Sequence, residues 1–125
     1  MTDDETLALA DRMFRAIEDG DLDALRDCYD PDIIVWANND GREKDIDRSI
    51  RVLEWLIGLM SDRHYEVKRR EVIAGGFLQE HVLEGVAPDG TRIAMPAVII
   101  ATVADGRITR IHEYLDPAGV AALTS

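Results

Sequence analysis

The sequence is poor in cysteine and in positive charge. Cys28 is its single cysteine, so an internal disulfide is excluded and there is no cysteine cluster that could bind zinc. The 25 Asp and Glu residues outnumber the 14 Lys and Arg residues, which gives a formal net charge of −11 at pH 7. Because nucleic acid and anionic lipid would repel such a chain, we expect neither nucleic acid nor a membrane as a partner.

Long apolar runs and a secretory leader are missing as well. No apolar stretch approaches the length needed to cross a bilayer. Residues 1–5 are acidic, whereas a signal peptide opens with basic residues and continues with apolar ones. These features predict a cytoplasmic protein. The length of 125 residues, with 46% hydrophobic and 31% charged residues, predicts one soluble domain over residues 1–125.

Apolar residues recur at helical spacing in three stretches of the chain. They predict helices over residues 3–19, 21–29 and 45–60, and Gly20 separates the first two. The third helix has a wider apolar face than one packing surface requires. We therefore expect this helix, together with the outer face of a sheet, to contribute to a homodimer.

The rest of the chain has the composition of β-structure. Branched and aromatic residues predict a buried strand at residues 33–37 and four later strands, at residues 65–74, 77–87, 92–103 and 107–115. Gly-containing turns connect the later four as a meander, and a short helix follows at residues 118–123. This order predicts an α+β layer fold, in which a curved sheet around the first helices leaves a concave cavity.

The last predicted strand has a carboxylate in the middle of its apolar face. With a period of two, Ile111, Glu113 and Leu115 share that face. A buried carboxylate must be paired or become protonated, and either outcome suits a catalytic site. The alternative is that strand twist or an edge position lets Glu113 reach water.

Three polar residues in or beside the strands are the candidates for catalysis. We expect Asn38, His81 and Glu113 to converge on the concave face, with Trp36 as an aromatic wall. Glu113 would be a general base held by or shared with His81, and Asn38 would orient a water or a polar substrate atom. The alternatives are a turn role for Asn38, core packing for Trp36 and a hydrogen-bonded core role for His81.

Signals for metal or cofactor binding are missing. The three histidines, at positions 64, 81 and 112, lie on different predicted strands and lack the local spacing of a zinc motif. There is no phosphate loop and no dinucleotide fingerprint, and neither the serines nor the cysteine has an activating context. We therefore expect neither a metal nor a cofactor.

Two segments resemble a known superfamily. Residues 14–25 and the following Tyr29-Asp30-Pro31-Asp32-Ile33 resemble the opening of nuclear transport factor two-like domains. This group includes ketosteroid isomerase, SnoaL-like polyketide cyclases and limonene epoxide hydrolase. Residues 105–108 and 113–116 are similar to the closing strand of the last two. The resemblance implies a cone-shaped, cystatin-like α+β fold, with three N-terminal helices on a curved, mostly antiparallel sheet, a deep pocket and commonly a homodimer.

The site residues of ketosteroid isomerases, limonene epoxide hydrolases and SnoaL-like cyclases are matched to different extents in this sequence. At the places that resemble the polar groups of ketosteroid isomerases stand Met13, Asn38 and Val98, so that mechanism is not expected. Of the residues that hold water in limonene epoxide hydrolases, the asparagine is kept and the aspartate–arginine–aspartate relay is incomplete. SnoaL-like cyclases use an acid of the last strand as base. Glu113 and Asp116 both resemble it, and strand parity favours Glu113.

The sequence thus predicts a cofactor-independent SnoaL-like enzyme of isomerase, cyclase or hydrolase type that acts on an apolar small molecule. Glu113 is the expected base, His81 its partner or acid, and Asn38 would position the substrate. Further substrate-binding residues are expected at Trp36, Met13, Phe14, Leu83, Val98, Ile111 and Leu115. The alternative is a ligand-binding or dimerisation module without catalysis, in which His81 and Glu113 form a buried structural pair.

Overall fold

The computed structural model describes residues 1–124, which form four helices and six strands. In chain order these are α1 (Asp3–Asp19), α2 (Leu22–Cys28), β1 (Tyr29–Ala37), β2 (Glu43–Lys44), α3 (Ile46–Leu59), β3 (Ser61–Ile73), β4 (Gly76–Val86), β5 (Arg92–Ala104), β6 (Arg107–Leu115) and α4 (Ala118–Leu123). Three helices precede the antiparallel meander, and α4 follows it. Among the described residues, no helix is long and apolar enough to span a bilayer.

Local capping signals determine where the helices begin and end. Thr2 and Glu5 form a reciprocal capping box at the start of α1. Gly20 ends that helix in the left-handed region at φ 72°, a conformation that a side chain would disfavour. Asp21 caps α2, and Asp45 caps α3 through a bond from the backbone N–H of Arg48.

The six strands form one sheet in the order β2-β1-β6-β5-β4-β3. All neighbouring pairs are antiparallel except β1 and β6, which are parallel. Strand β1 begins at Tyr29, whereas the sequence predicted a helix up to residue 29 and a strand only from residue 33. The pairing register shifts between Tyr29 and Ile34, and this irregularity accommodates Pro31.

The helices cover one face of the sheet. Helix α1 packs on β3 and β4, α3 packs on β1, and α4 packs on β5. The apolar side chains of α1 meet those of the strands in a core that includes Leu9, Met13, Phe14, Phe77 and Ile108. The gap between α3, α1 and the sheet remains open, and it forms the cavity described below.

Strand register aligns the side chains of this inner face. Glu113 of β6 pairs with Ile99 of β5, and Ile99 pairs with Gln79 of β4. These residues therefore form a row across the sheet, and the next row contains His81. On the other side of β6, Glu113 pairs with Ala37 of β1. The acid and the imidazole consequently belong to the same face of the sheet.

Candidate functional site

A cavity of about 920 Å³ lies between the inner face of the sheet and the helices. Its wall is mainly apolar, as is typical of sites for small organic molecules. The apolar wall includes Met13, Ile17, Leu83, Met95, Ile99, Ile111 and Leu115, and the polar lining residues include Tyr29, Ser49, Tyr65, His81 and Glu113.

Glu113 presents an unpaired carboxyl group to this cavity. Among residues 1–124 the side chain has neither a hydrogen-bond partner nor an ionic partner. Burial raises the pKa of Glu113 to about 7, because the protein around the cavity does not solvate the charged form as water does. A carboxyl group with this pKa exchanges its proton readily near neutral pH.

His81 is held in one charge state by its surroundings. Burial and, to a smaller extent, the nearby Arg70 guanidinium lower the pKa of its imidazole to about 4. The ring is 2% exposed and packs edge-to-face against Phe14 and Tyr65, with ring centroids at 5.4 and 4.7 Å. At neutral pH the imidazole is therefore uncharged.

The tautomer of His81 follows from a chain of two hydrogen bonds. Arg70 Nε, which can only donate, lies 2.6 Å from Gln79 Oε1. The Gln79 amide nitrogen must then face His81 Nδ1, at 2.9 Å, and donate to it. Because Nδ1 is an acceptor, the ring proton of the neutral form is on Nε2.

The Nε2–H group of His81 opens into the cavity. It has no hydrogen-bond partner among the described residues. No buried side-chain nitrogen or oxygen in that part of the chain lacks a partner, so Nε2 is accessible rather than enclosed. His81 therefore offers a ligand one neutral hydrogen-bond donor.

Two tyrosines add further polar groups to the cavity. Burial raises the pKa of Tyr65 well above its ordinary value, and the nearby carboxyl group of Glu113 adds to this effect. Burial also raises the pKa of Tyr29, although a hydrogen bond with Ser49 opposes the shift. Both phenols are protonated at neutral pH and can donate hydrogen bonds.

These tyrosines were not among the candidates from the sequence. Tyr65 pairs with Leu83, which was predicted to line the pocket, so the pairing of β3 with β4 could have indicated that Tyr65 faces inward. Arg70 and Gln79 were missed as well, because their role appears only when β3 and β4 are paired.

The structure corrects the positions expected for Trp36 and Asn38. The alternation of β1 turns Val35 and Ala37 into the cavity and Trp36 to the opposite face, where its ring lies 5.3 Å from that of Tyr114. Asn38 is exposed at the end of β1. Its Oδ1 accepts from Leu115 N at 2.9 Å, and its Nδ2 donates to Leu115 O at 3.2 Å, so its amide prolongs the β1–β6 pairing.

Some of the other residues predicted to bind substrate line the cavity, and others do not. Met13, Leu83, Ile111 and Leu115 line the cavity. Phe14 is 2% exposed and lies behind Tyr65 and His81, outside the lining. Val98 pairs with Glu80 and Tyr114 on the outer face of the sheet, so its expected place in the pocket wall is wrong.

His81 and Glu113 line one cavity but do not form the expected pair. The imidazole Nδ1 is bonded to Gln79 instead, and the Glu113 carboxyl group has no partner within residues 1–124. A structural ion pair between them therefore does not explain why either group lies in the cavity wall. In the described part of the chain, no cluster of three or more His, Cys, Asp or Glu side chains is arranged to hold a metal ion.

Solved structures with this fold include proteins whose names indicate different activities. A candidate SnoaL-like polyketide cyclase from Shewanella putrefaciens superposes with a TM-score of 0.81 at 16% identity, over 99% of this chain and 98% of the other. An epoxide hydrolase of Mycobacterium tuberculosis, named as limonene epoxide hydrolase-like, superposes with a TM-score of 0.79 at 18% identity, over 98% and 96%. Likeness at these identities establishes the fold alone.

Sequence relatives identify the family. An uncharacterized protein of Mycobacterium tuberculosis is 30% identical over 125 residues, covering 94% of this chain and 95% of its own length. An uncharacterized protein of Mycobacterium bovis matches to the same extent. The family model of the SnoaL-like domain matches residues 10–111. The chain therefore belongs to the SnoaL-like domain family.

Proposed function

We propose that this protein is an enzyme that transfers protons on an apolar carbonyl compound without a cofactor. Glu113 is the general base in this proposal, and Tyr65 and His81 donate hydrogen bonds to the oxygen on which negative charge develops. The unpaired carboxyl group of Glu113 inside an apolar cavity is the observation that carries the proposal. An unpaired carboxyl group that faces an apolar cavity is costly for folding, and a catalytic role explains why it is present.

The acidity of Glu113 suits a general base. With a pKa of about 7, close to half of the carboxyl groups are ionised at neutral pH, and the ionised form is a stronger base than an ordinary carboxylate. In the proposed step Glu113 removes a proton from carbon next to the substrate carbonyl group. The electron pair of the C–H bond forms a C=C bond to the carbonyl carbon, and the π pair of the carbonyl group moves to its oxygen. Glu113 becomes a neutral acid that can return the proton to another position.

The neutral donors suit the other half of this step. Tyr65 and the Nε2–H group of His81 both open on the cavity wall. Donors already in place stabilise a developing oxyanion without the cost of reorienting water. A charged imidazolium would instead lower the pKa of Glu113 and weaken the base, so the fixed neutral state of His81 supports the same mechanism.

The family supports an enzyme of this general kind. Its structural neighbours include proteins named as a candidate polyketide cyclase and an epoxide hydrolase, and both names describe reactions of small molecules. The competing function is ligand binding without turnover. It predicts the same cavity but no chemistry that depends on Glu113.

Deuterium exchange tests this proposal without knowledge of the natural substrate. The protein is incubated in D₂O with a panel of cyclic ketones and 1,3-dicarbonyl compounds, and deuterium next to the carbonyl group is measured by mass spectrometry. Glu113→Gln should lower any protein-catalysed exchange by about 10²- to 10⁴-fold. Glu80→Gln, a matched change at an exposed residue of β4 outside the cavity, should not. Exchange that is equal in both variants would leave Glu113 without the proposed role.

A further inference from the structure

The mouth of the cavity is basic, although the protein as a whole is acidic. Four basic residues within ten positions of the chain line the cavity, namely Arg42, Lys44, Arg48 and Arg51, and they are called the basic rim here. The formal net charge of the chain is −11 at pH 7. Among the charged lining residues from position 40 to position 51, four are basic and two, Asp40 and Glu43, are acidic, so positive charge is in excess at this opening.

Most of the basic rim is not neutralised by the protein. Lys44 pairs with Asp40, with the ammonium nitrogen 2.6 Å from the carboxylate oxygen. Arg42, Arg48 and Arg51 form no ion pair within 4 Å of any residue in the range 1–124, although the charge of Arg42 helps to lower the pKa of Asp40. Three exposed guanidinium groups therefore remain available to an anion at the cavity mouth.

The acidic lining residues at the mouth are already engaged. Asp40 holds Lys44, and Glu43 accepts a contact of 3.2 Å from Arg110 on β6. Both carboxylates are thus compensated by basic partners. The uncompensated charge at the entrance is positive.

Apolar side chains stand next to two of these arginines. Arg48, Arg51, Val52 and Trp55 follow one another on α3 at the spacing i, i+3, i+4 and i+7, so they form one stripe along the helix. All of them line the cavity. Val52 is 47% exposed and Trp55 is 42% exposed, which is unusual for large apolar side chains. A guanidinium group beside an exposed indole suits a ligand that is partly charged and partly apolar.

From this arrangement we infer that the cavity takes an amphipathic anion, whose apolar body lies inside and whose carboxylate or phosphate group is held by Arg42, Arg48 and Arg51 at the mouth. This inference rests on the proposed function, because it names the substrate class of the same cavity. The planar fork of arginine binds both kinds of anionic group through paired hydrogen bonds.

The position of Glu113 determines the direction in which such a ligand lies. The carboxyl group of Glu113 has no cation among the residues described, so an anionic group beside it would repel its ionised form. The basic rim offers the opposite charge at the entrance. The ligand therefore enters with its apolar end first, and this brings uncharged atoms of the ligand to Glu113.

Two dyes that differ by one charged group test the inference. 1-Anilinonaphthalene-8-sulfonate carries a sulfonate, and N-phenyl-1-naphthylamine is the same molecule without it. Binding of each is followed by fluorescence titration to the wild type, to Arg48→Gln/Arg51→Gln and to Arg107→Gln. Arg107 is exposed at the start of β6 and does not line the cavity, so its variant shows the effect of removing one positive charge away from the cavity.

The double variant should bind the sulfonate dye about tenfold more weakly, as expected for the loss of two exposed charge contacts. The neutral dye should bind both variants as it binds the wild type, and Arg107→Gln should keep the affinity for both dyes. Added salt should weaken the binding of the sulfonate dye and leave the binding of the neutral dye unchanged. Displacement by dodecanoate and by dodecyl phosphate then distinguishes a carboxylate from a phosphate preference.

Other results would overturn the inference. The double variant could lose affinity for both dyes equally, or Arg107→Gln could weaken the sulfonate dye as much as the double variant does. The wild type could also fail to bind the sulfonate dye. Failure of the proposed proton transfer is a separate result. Glu113→Gln removes the base but leaves the basic rim, so the sulfonate dye should still bind that variant.

Discussion

Arg70 Nε donates a hydrogen bond of 2.6 Å to Gln79 Oε1, and this contact determines which nitrogen of His81 carries a proton. Arg70 is itself held in place, since its Nη1 lies 3.5 Å from a carboxylate oxygen of Asp11 and its guanidinium carbon lies 5.6 Å from the centre of the Phe14 ring. The position of one surface helix, α1, is thereby connected to the hydrogen-bond donor inside the cavity.

Gln79→Glu should reverse the tautomer of His81. A carboxylate can only accept, so His81 Nδ1 would have to carry the proton, and the pKa of the imidazole should rise by about one unit or more. Long-range ¹H–¹⁵N spectra of histidine-labelled protein distinguish the two ring nitrogens directly. The wild type should show a protonated Nε2 and a bare Nδ1 at pH 7.

Arg70→Gln and Arg69→Gln are a matched pair for the same measurement. Arg70→Gln frees the Gln79 amide to rotate, so both tautomers of His81 should appear. Arg69 is exposed and pairs with Glu71 at 2.8 Å, so its variant should leave the spectrum unchanged. A wild-type Nδ1 that carries the proton would contradict the hydrogen-bond chain.

A β-bulge explains why this chain of contacts was not predicted. Strict alternation along β3 places Tyr65 and Arg69 on one face and Arg70 on the other. The register shift between Val67 and Arg69 reverses the alternation, so that Tyr65 and Arg70 both face inward. Nothing in the local sequence of exposed, charged residues marks the position of that bulge.

The candidate site was predictable where one face of a strand is polar. In β6 the polar residues Arg110 and His112 mark the outer face, so the inward direction of Glu113 followed from the sequence. Strand β1 has apolar residues on both faces, and so does the segment of β5 around Val98. Parity alone cannot say which of these faces is inside, and for Trp36 and Val98 the wrong face was chosen.

Asn38→Ala should destabilise the fold without affecting the chemistry. The variant removes two hydrogen bonds to the backbone of Leu115 at an exposed site, which should lower the free energy of unfolding by about 1 kcal/mol. Urea unfolding measures this change. Asn39→Ala is the control, because the exposed Asn39 side chain has no hydrogen bond with any described residue. If Asn38→Ala instead shifts the titration of Glu113, Asn38 acts on the site after all.

The outer face of the sheet should form a homodimer. Trp36, His112 and Tyr114 cluster there, with Tyr114 47% exposed and the neighbouring Ile100 40% exposed. Exposed apolar patches of this kind commonly mark an interface. Sedimentation velocity should show a dimer at micromolar concentration for the wild type and a monomer for Tyr114→Glu. Ile73→Glu, at the far edge strand β3, should stay dimeric. A monomeric wild type would show that the prediction is wrong.

Glu113 and His81 should make opposite contributions to the pH dependence of stability. The pKa of Glu113 is raised on folding from 4.5 to about 7, so its contribution is fully present below pH 4.5 and is lost as the pH rises through 7. The pKa of His81 is lowered from 6.5 to about 4, so its contribution is present above pH 6.5 and is lost as the pH falls through 4. Between pH 4.5 and pH 6.5 the two effects oppose each other, so together they should change the free energy of unfolding of the wild type only a little.

Glu113→Gln isolates the contribution of the acid. Glutamine resembles the protonated acid in shape and does not ionise, while His81 contributes equally to both proteins and cancels in the difference. Urea unfolding of both proteins from pH 4.5 to 8 should give a difference that grows with pH and favours the variant by about 1 to 3 kcal/mol at pH 8. Glu54→Gln, an exposed change on α3, should give no such trend. A flat difference for Glu113→Gln would mean that the carboxyl group ionises without penalty, and Glu113 would then lack the raised pKa on which the proposed catalysis depends.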